Sequence, residues 1–229
     1  MRCLAAAAIL ALTAACGGAS SLQRPEPDTM RELIVLVAPV SDDPYYADVA
    51  DAIFEFHVAY AHQVEGRDDL IVLTDRRDYG RYVAALGAQR VVVAPMADIW
   101  ARDFTLSNAS HPVMFRYTAA GQGGGARGQR DADAVQGQFA RFAEATGLAF
   151  GETDLLNDGG NFVDDYVGNV VVSRKFLRDN RLNEDQGRAA LRRFPGVSNV
   201  AFIDSDEQGG LENADGVVAF ADVNTLIVN

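Results

Sequence analysis

Cysteine is nearly missing from this chain, and both copies lie close to its amino terminus. Cys3 and Cys16 are the two cysteines among 229 residues. The rest of the chain therefore has no thiol that could form an internal disulfide, bind a metal or act as a nucleophile. We expect no cysteine-bound metal, and we predict neither a metal site nor a cofactor.

Positive charge is also scarce. The chain has 20 lysines and arginines against 32 aspartates and glutamates, which gives a formal net charge of -12. Nucleic acids and anionic lipid surfaces are bound through lysine and arginine contacts to phosphate, so this balance excludes a general affinity for either. We expect no nucleic-acid partner, and the charge favours a cationic ligand.

The amino-terminal apolar segment is too short to cross a membrane as a helix. It holds about a dozen apolar residues, whereas a spanning helix needs roughly 20. One early arginine, a short Ala/Leu-rich core and small residues before Cys16 are typical of an export signal over residues 1–16. The run "LTAAC" resembles a bacterial lipobox, in which cleavage leaves a lipidated Cys16. A plain secretory signal cut nearby is the alternative.

The domain boundaries follow from this reading. Residues 17–30 are small, polar and contain proline, which predicts a flexible tether. The folded domain should then span residues 31–229. We expect an exported protein of the cell envelope, either lipid-anchored through Cys16 or periplasmic or secreted. Its contact with a membrane would be made through that lipid alone.

Short apolar runs alternate with helical patterns along the folded domain. Near-continuous apolar strands are typically covered on both faces. The runs that predict strands are 32–38, 70–74, 90–94, 113–117, 169–173, 199–203, 216–220 and 225–228. Helical spacing predicts one helix over 46–60, one over 135–146 that ends at Gly147, and one that begins at an Asn183/Gln186 capping box and ends by Pro195. The predicted class is α/β.

One glycine-rich stretch, residues 119–130, lies between these elements. It contains two arginines but lacks the Lys-Ser/Thr ending of a phosphate-binding loop. We therefore predict a mobile surface loop and not a phosphate cradle.

Three polar motifs are candidates for a site. "DIWARDF", residues 98–104, is either a polar turn whose Trp100 plugs the rim of the core or a site for a planar cation. In "NDGGNF", residues 157–162, the glycine pair fits a hairpin turn, or it lets Asp158 and a ligand approach the backbone closely. In "NADG", residues 213–216, the alternate spacing places Asn213 and Asp215 on one face if the segment is extended.

Together, "WARDF", "DGGNF" and "NADGVVAFADVNTLIVN", in this order, resemble the Porphyromonas-type peptidyl-arginine deiminase and agmatine deiminase family over residues 31–229. The resemblance implies a pentein-type α/β propeller of repeated strand-helix modules, with about three of five modules present. It also implies a hydrolase chemistry that cleaves a guanidino carbon-nitrogen bond and releases ammonia.

The resemblance assigns roles to several residues. It matches Asp103 to the catalytic carboxylate that clamps the guanidinium and Trp100 to the ring beside it. It places Asp158 at the acidic position before the glycine pair, with Asn161 in the same substrate-binding motif. Paired carboxylates and an aromatic face suit a guanidinium because the ion is planar and permanently charged.

Two catalytic groups of the family are replaced or lacking. Asp215 matches the carboxylate of the family's His-x-Asp motif, but Asn213 stands at the histidine, and an amide does not transfer protons near neutral pH. The family's nucleophilic cysteine has no counterpart in residues 31–229. His57 and His62 would point to different sides of one helix, and His111 precedes a proline in a predicted loop. None of the three is expected to replace the missing histidine.

Three hypotheses follow. The chain is an exported deiminase-family protein that no longer turns over, or a non-catalytic module that binds a guanidinium small molecule or arginine side chains. The third hypothesis is that another chain or a continuation supplies the missing cysteine and modules. Export favours arginine in peptides over free agmatine or arginine. A partial propeller would leave strand edges uncovered, so we also expect self-association, which a monodisperse monomer would contradict.

Overall fold

The computed structural model describes residues 33–108, 110–205 and 211–229. The predicted signal, the tether and Cys16 lie outside the described residues. The strands are β1 (Leu33–Val37), β2 (Asp69–Thr74), β3 (Val91–Val93), β4 (Val113–Arg116), β5 (Gly151–Leu156), β6 (Val163–Asp164), β7 (Asn169–Ser173), β8 (Asn199–Ile203), β9 (Val218–Asp222) and β10 (Thr225–Val228). The helices are α1 (Ala50–Gln63), α2 (Tyr79–Leu86), α3 (Ala101–Phe104), α4 (Gly125–Thr146), α5 (Lys175–Asp179) and α6 (Glu184–Leu191).

The strands form small sheets that repeat one pattern of strand, helix and parallel strand. β1, β2 and β3 are parallel, and α1 and α2 make the crossovers between them. β4 pairs in parallel with β5 across α4, and β7 pairs in parallel with β8 across α5 and α6. Parallel neighbours need such crossovers because a tight turn cannot join them. β6 is antiparallel to β7, and β9 is antiparallel to β10. The predicted α/β class and the repeated module are confirmed.

The larger apolar cores pack strands against helices, and Val113 of β4 and Val170 of β7 share one of them. The first core joins Leu70 and Val72 of β2 to Tyr82 and Leu86 of α2. The second packs Phe104 against Phe139 of α4, and the third packs Val172 of β7 against Phe176 of α5. Burial of apolar area of this kind is the main stabilising contribution to such modules.

The expectation that the strands are covered on both faces is wrong for the two outer sheets. Leu33 and Val35 of β1 are 61% and 41% exposed, and Ile227 and Val228 of β10 are 57% and 65% exposed. Within the described ranges, no helix is both long and apolar enough to cross a membrane.

Local signals predicted three of the six described helices, α1, α4 and α6, whereas α2, α3 and α5 were not predicted. The capping box of Asn183 and Gln186 is present, and α4 ends at Gly147, whose φ of 70° is left-handed. α1 begins at Ala50, later than predicted, and α6 ends at Leu191, before the proline. The prediction of a loop over residues 119–130 is wrong for its second half, because α4 begins at Gly125.

Candidate functional site

The glycine pair lies where the three polar motifs meet. Gly159, Gly160 and Asn161 form a short 3-10 helix between β5 and β6, which belong to different sheets, so the predicted hairpin turn is wrong. Neither glycine has a positive φ. Their role is close approach, since a Cβ on Gly159 would lie only 1.8 Å from the carbonyl oxygen of Arg102.

Gly160 leaves open the space into which the other two motifs project. A Cβ there would lie 2.8 Å from Oδ2 of Asp215, 2.9 Å from Oδ1 of Asp103 and 3.0 Å from Nδ2 of Asn213. The Gly160 amide donates to Oδ1 of Asp103 at 3.2 Å, and the Asp215 amide donates to the Gly160 carbonyl at 3.0 Å. Three residues that the sequence singled out therefore converge on one point, which we call the Gly160 cluster.

Asn213 and Asp215 reach this cluster from a turn and not from an extended strand. They precede β9, which begins at Val218. Asn213 is 7% exposed. The expectation that both side chains share one face holds, although the backbone between them is not a strand.

The carboxyl of Asp103 is held in an unfavourable electrostatic environment. Burial and the nearby charge of Asp158 raise the pKa of Asp103 to about 7, and Asp215 and Asp98 add to the shift. The hydrogen bond from the Gly160 amide opposes it. A cation bound beside Asp103 would favour its ionised form, because an opposite charge lowers a carboxyl pKa.

Asp158 is engaged within the protein. It is 2% exposed, and the amide of Thr118 donates to its Oδ1 at 3.0 Å while the Thr118 hydroxyl donates to its Oδ2 at 2.9 Å. Nζ of Lys175 lies 3.5 Å from the same Oδ2 and donates to Asp179 at 2.7 Å. Asp158 thus adds negative charge to the site, while its oxygens bind groups of the protein itself.

Lys175 was missed as a site residue by the sequence analysis. It is the single lysine of the chain and is 6% exposed, at the start of α5. Lysine is rarely buried without a partner, so its position after the apolar run of β7 was a usable signal. Nothing in the sequence pointed to Thr118 as its hydrogen-bond partner, because Thr118 lies 57 residues away along the chain.

Asn161 ties the glycine segment to β7. It is 1% exposed, its Nδ2 donates to Oδ1 of Asn157 at 3.0 Å, and its Oδ1 accepts from the Ser173 amide at 2.7 Å. These bonds use both ends of the amide group. The geometry gives Asn161 a positioning role for the glycine pair, and its assignment to substrate binding stays a prediction.

Trp100 and Arg102 flank the cluster. Trp100 is 62% exposed at the start of α3 and lines a neighbouring pocket with Asp98. Arg102 donates to the carbonyl of Phe162 at 3.4 Å. It lies near Asp164, where burial raises the carboxyl pKa and the charge of Arg102 opposes that shift.

The histidines lie in other parts of the fold. His57 is buried in α1 against the hydroxyl of Tyr82, at 3.0 Å from its Nδ1. His62 is exposed on the same helix, and His111 lines a small pocket with Tyr166. In the described part of the chain, no three histidine, cysteine or acidic side chains are grouped to hold a metal ion.

The repeated strand-helix modules, with carboxylates from separate modules meeting at one cluster, match the pentein-type α/β propeller of the deiminases. The model of the Porphyromonas-type peptidyl-arginine deiminase family matches residues 25–229. The chain belongs to this family.

Solved structures support the same fold. The agmatine deiminase of C. jejuni superposes with a TM-score of 0.66 at 18% identity, over 86% of this chain and 60% of that one. The agmatine deiminase of Enterococcus faecalis superposes with a TM-score of 0.64 at 17% identity, over 86% and 57%. The chain therefore spans less than two thirds of the length of these structures. No curated protein matches it.

Proposed function

We propose that residues 33–229 form a guanidinium-binding module of the deiminase family that does not hydrolyse its ligand unaided. The observation that carries this proposal is the convergence of Asp103 and Asp215 on Gly160. The ligand would be a guanidinium small molecule or an arginine side chain.

Binding is supported by the charge of the cluster. Asp158 and Asp215 are close enough to Asp103 to raise its pKa, and the buried cation Lys175 contacts Asp158. A guanidinium between Asp103 and Asp215 would supply a second positive charge and several donors in one plane. Because Gly160 has no side chain, the carboxylates of Asp103 and Asp215 approach the same point, from which both could bind one ion.

The absence of turnover is proposed from the chemistry of the groups present. Loss of ammonia from a guanidinium needs a nucleophile for the central carbon and a group that gives the leaving nitrogen a proton. Asn213 stands where the family carries histidine, and residues 33–229 contain no cysteine. Carboxylates and an amide are suited to holding the ion.

The test is calorimetric titration of the purified chain with agmatine, free arginine and an amidated arginyl peptide, with ammonia assayed in parallel. Asp103→Asn and Asp215→Asn should each weaken binding at least about tenfold, which corresponds to about 1.4 kcal/mol. Asp131→Asn is the matched control, because this exposed carboxylate lies on α4 and pairs with Arg127. Absence of binding by any of the three ligands would refute the module.

A second candidate is hydrolysis with a cysteine supplied from outside residues 33–229. It is favoured by the coverage of about 60% of the solved structures. It predicts ammonia release by the protein isolated from its own cells and none by the chain alone. Release by the chain alone that Asp103→Asn abolishes would contradict both candidates.

We also propose export and lipid attachment at Cys16. Mass spectrometry of the amino-terminal peptide should show a lipidated Cys16 and the loss of residues 1–15, and Cys16→Ala should release the protein from membranes. An unmodified Cys16 on a secreted chain would favour the plain secretory signal. The exposed apolar residues of β1 and β10 support self-association, which sedimentation velocity measures directly.

A further inference from the structure

One edge of β5 is open. Among the described strands, β5 pairs with β4 alone. The amides of Gly151 and Asn157 donate to backbone carbonyls on the β4 side at 2.9 and 3.0 Å. Because successive residues of a strand turn their N–H and C=O groups to opposite edges, Glu152 and Asp154 direct theirs away from β4. Both residues are exposed, and an unpaired edge of this kind is a template for a further strand.

Asn180 already makes strand-like hydrogen bonds to this edge. The Leu156 amide donates to Oδ1 of Asn180 at 2.8 Å, and Nδ2 of Asn180 donates to the Leu156 carbonyl at 2.8 Å. A side-chain amide has the same donor and acceptor as a peptide group, so Asn180 replaces one residue of a neighbouring strand. Leu156 faces the same edge as Glu152 and Asp154. The edge is therefore occupied at its carboxyl end and open over its amino-terminal half.

Two pockets flank the open edge, one on the α6 side and one on the α4 side. Both are lined by Glu152 and Thr153, and their volumes are about 510 Å³ and 330 Å³. The larger pocket has an apolar floor formed by Leu155, Leu182, Ala190 and Phe194. The smaller pocket is polar and includes Asp154 and Gln136. Side chains of a strand point to alternate faces, so those of an added strand would enter the two pockets in turn.

The two pockets differ in charge. In the smaller one, Arg116 is bound by Asp133, which accepts from its Nε at 3.0 Å and from its Nη2 at 2.8 Å. No ion pair within the described residues neutralises Glu152 or Asp154. The larger pocket has Arg193 in its lining. A basic side chain is therefore favoured in the smaller pocket and disfavoured in the larger one.

We propose that the open edge of β5 binds an extended segment of another protein in which basic and apolar residues alternate. Main-chain hydrogen bonds to β5 supply affinity, and the two pockets select the side chains. A shift of the segment by one residue would place a basic side chain beside Arg193 and an apolar one between Glu152 and Asp154, so the register is defined. No residue of the Gly160 cluster takes part, and the proposal does not depend on guanidinium binding.

The first experiment uses a labelled peptide of sequence KVKVK with blocked ends, which contains no guanidinium. Fluorescence anisotropy should show saturable binding to the full chain. The peptide KKVVK has the same composition and charge without the alternation, and it should bind at least about tenfold more weakly. Two further peptides carry backbone N-methyl groups on either the valines or the lysines. Only one of them should lose binding, because one edge of an added strand faces β5 and the other faces water.

The second experiment changes the protein. Glu152→Gln combined with Asp154→Asn removes the acidic pair at exposed positions and should weaken KVKVK binding at least about tenfold. Asp48→Asn combined with Glu55→Gln is the matched control, because it removes the same charge from exposed positions elsewhere on the chain. Amide hydrogen exchange locates the site, since bound peptide should slow exchange at Glu152 and Asp154. Circular dichroism establishes that each variant is folded.

Four outcomes would overturn the proposal. Equal affinity for KVKVK and KKVVK would show that alternation is not recognised. Equal losses in the two double variants would reduce binding to the net charge of the protein. Displacement of the peptide by agmatine would assign it to the Gly160 cluster. Protection of Glu152 and Asp154 that rises with protein concentration and needs no peptide would assign the open edge to a second copy of the chain.

Discussion

Nζ of Lys175 lies 3.5 Å from Oδ2 of Asp158, and the two side chains are 7% and 2% exposed. Lys175 also donates to Asp179 at 2.7 Å and to the Thr118 hydroxyl at 3.1 Å. The one lysine of the chain thus holds the carboxylate that precedes the glycine pair. Asp103 and Asp215 remain as the carboxylates that face Gly160.

Lys175→Met should strongly destabilise the fold. Methionine keeps the length of the stem but leaves Asp158 buried without a cation, and breaking a buried pair in this way costs about 3 to 5 kcal/mol. Urea unfolding followed by circular dichroism measures the loss. Arg127→Met is the control, because Arg127 is 89% exposed in its pair with Asp131 and should change stability by less than about 0.5 kcal/mol. Equal effects of the two substitutions would contradict the buried role of Lys175.

Guanidinium affinity should depend on pH through Asp103. Its pKa of about 7 leaves it half protonated at neutral pH, and a cation binds the ionised form. Affinity should therefore rise between about pH 6 and pH 8 and then level off, with a proton released on binding at the lower end. Calorimetry in buffers of different ionisation enthalpy counts this proton. A flat profile in the wild-type chain would show that Asp103 does not hold the ligand.

The two glycines of the pair should respond differently to alanine. Gly159→Ala places a Cβ 1.8 Å from a backbone oxygen, so the segment must move and the fold should lose about 2 kcal/mol or more. Gly160→Ala meets three side-chain atoms at 2.8 to 3.0 Å, so it should displace the carboxylates and weaken ligand binding more than it changes stability. Thermal melts and titration with agmatine separate the two effects.

Gly80→Ala serves as the control for both substitutions. Nothing lies within 4 Å of a Cβ at this position in α2, so alanine should stabilise the helix by about 0.5 to 1 kcal/mol. If Gly160→Ala bound agmatine as tightly as Gly80→Ala, ligand binding would not depend on the carboxylates that meet at Gly160.

His57 should make the fold sensitive to acid. Burial lowers the pKa of His57 to about 4, below the ordinary value of 6.5. Between these values the unfolded chain binds more protons than the folded one, so the contribution of His57 to stability falls as the pH drops from about 6.5 to about 4. Unfolding free energies of the wild type and His57→Gln over this range should differ in slope. Parallel profiles would show that His57 is not buried in its neutral form.

Much of the fold was predictable because its elements are defined by local pattern. The apolar runs that became β2 and β7 bury most of their side chains, and burial of that kind leaves an apolar pattern in the sequence. The helix start at Asn183 and the helix end before Gly147 were also predictable, because each depends on hydrogen bonds between residues that are close together in the sequence.

Two strands escaped prediction for the same reason. β5 has no buried residue and begins with a glycine and three consecutive polar residues, and β6 has only two residues, Val163 and Asp164. Neither strand has an apolar pattern in its sequence. Each is defined by its pairing, β5 with β4 and β6 with β7.

The sequence by itself determined the α/β class, the order of the polar motifs and the residues that the family resemblance selects. The tertiary structure alone decided which of them meet. Asp103 and Asp215 converge because the glycine pair, Gly159 and Gly160, lets separate segments pack within contact distance. The same packing brings Lys175 into contact with Asp158. Trp100, which is 62% exposed, lines a pocket together with Tyr46, a residue from a distant part of the chain. Contacts between distant segments depend on how modules pack, and periodicity within one segment does not record them.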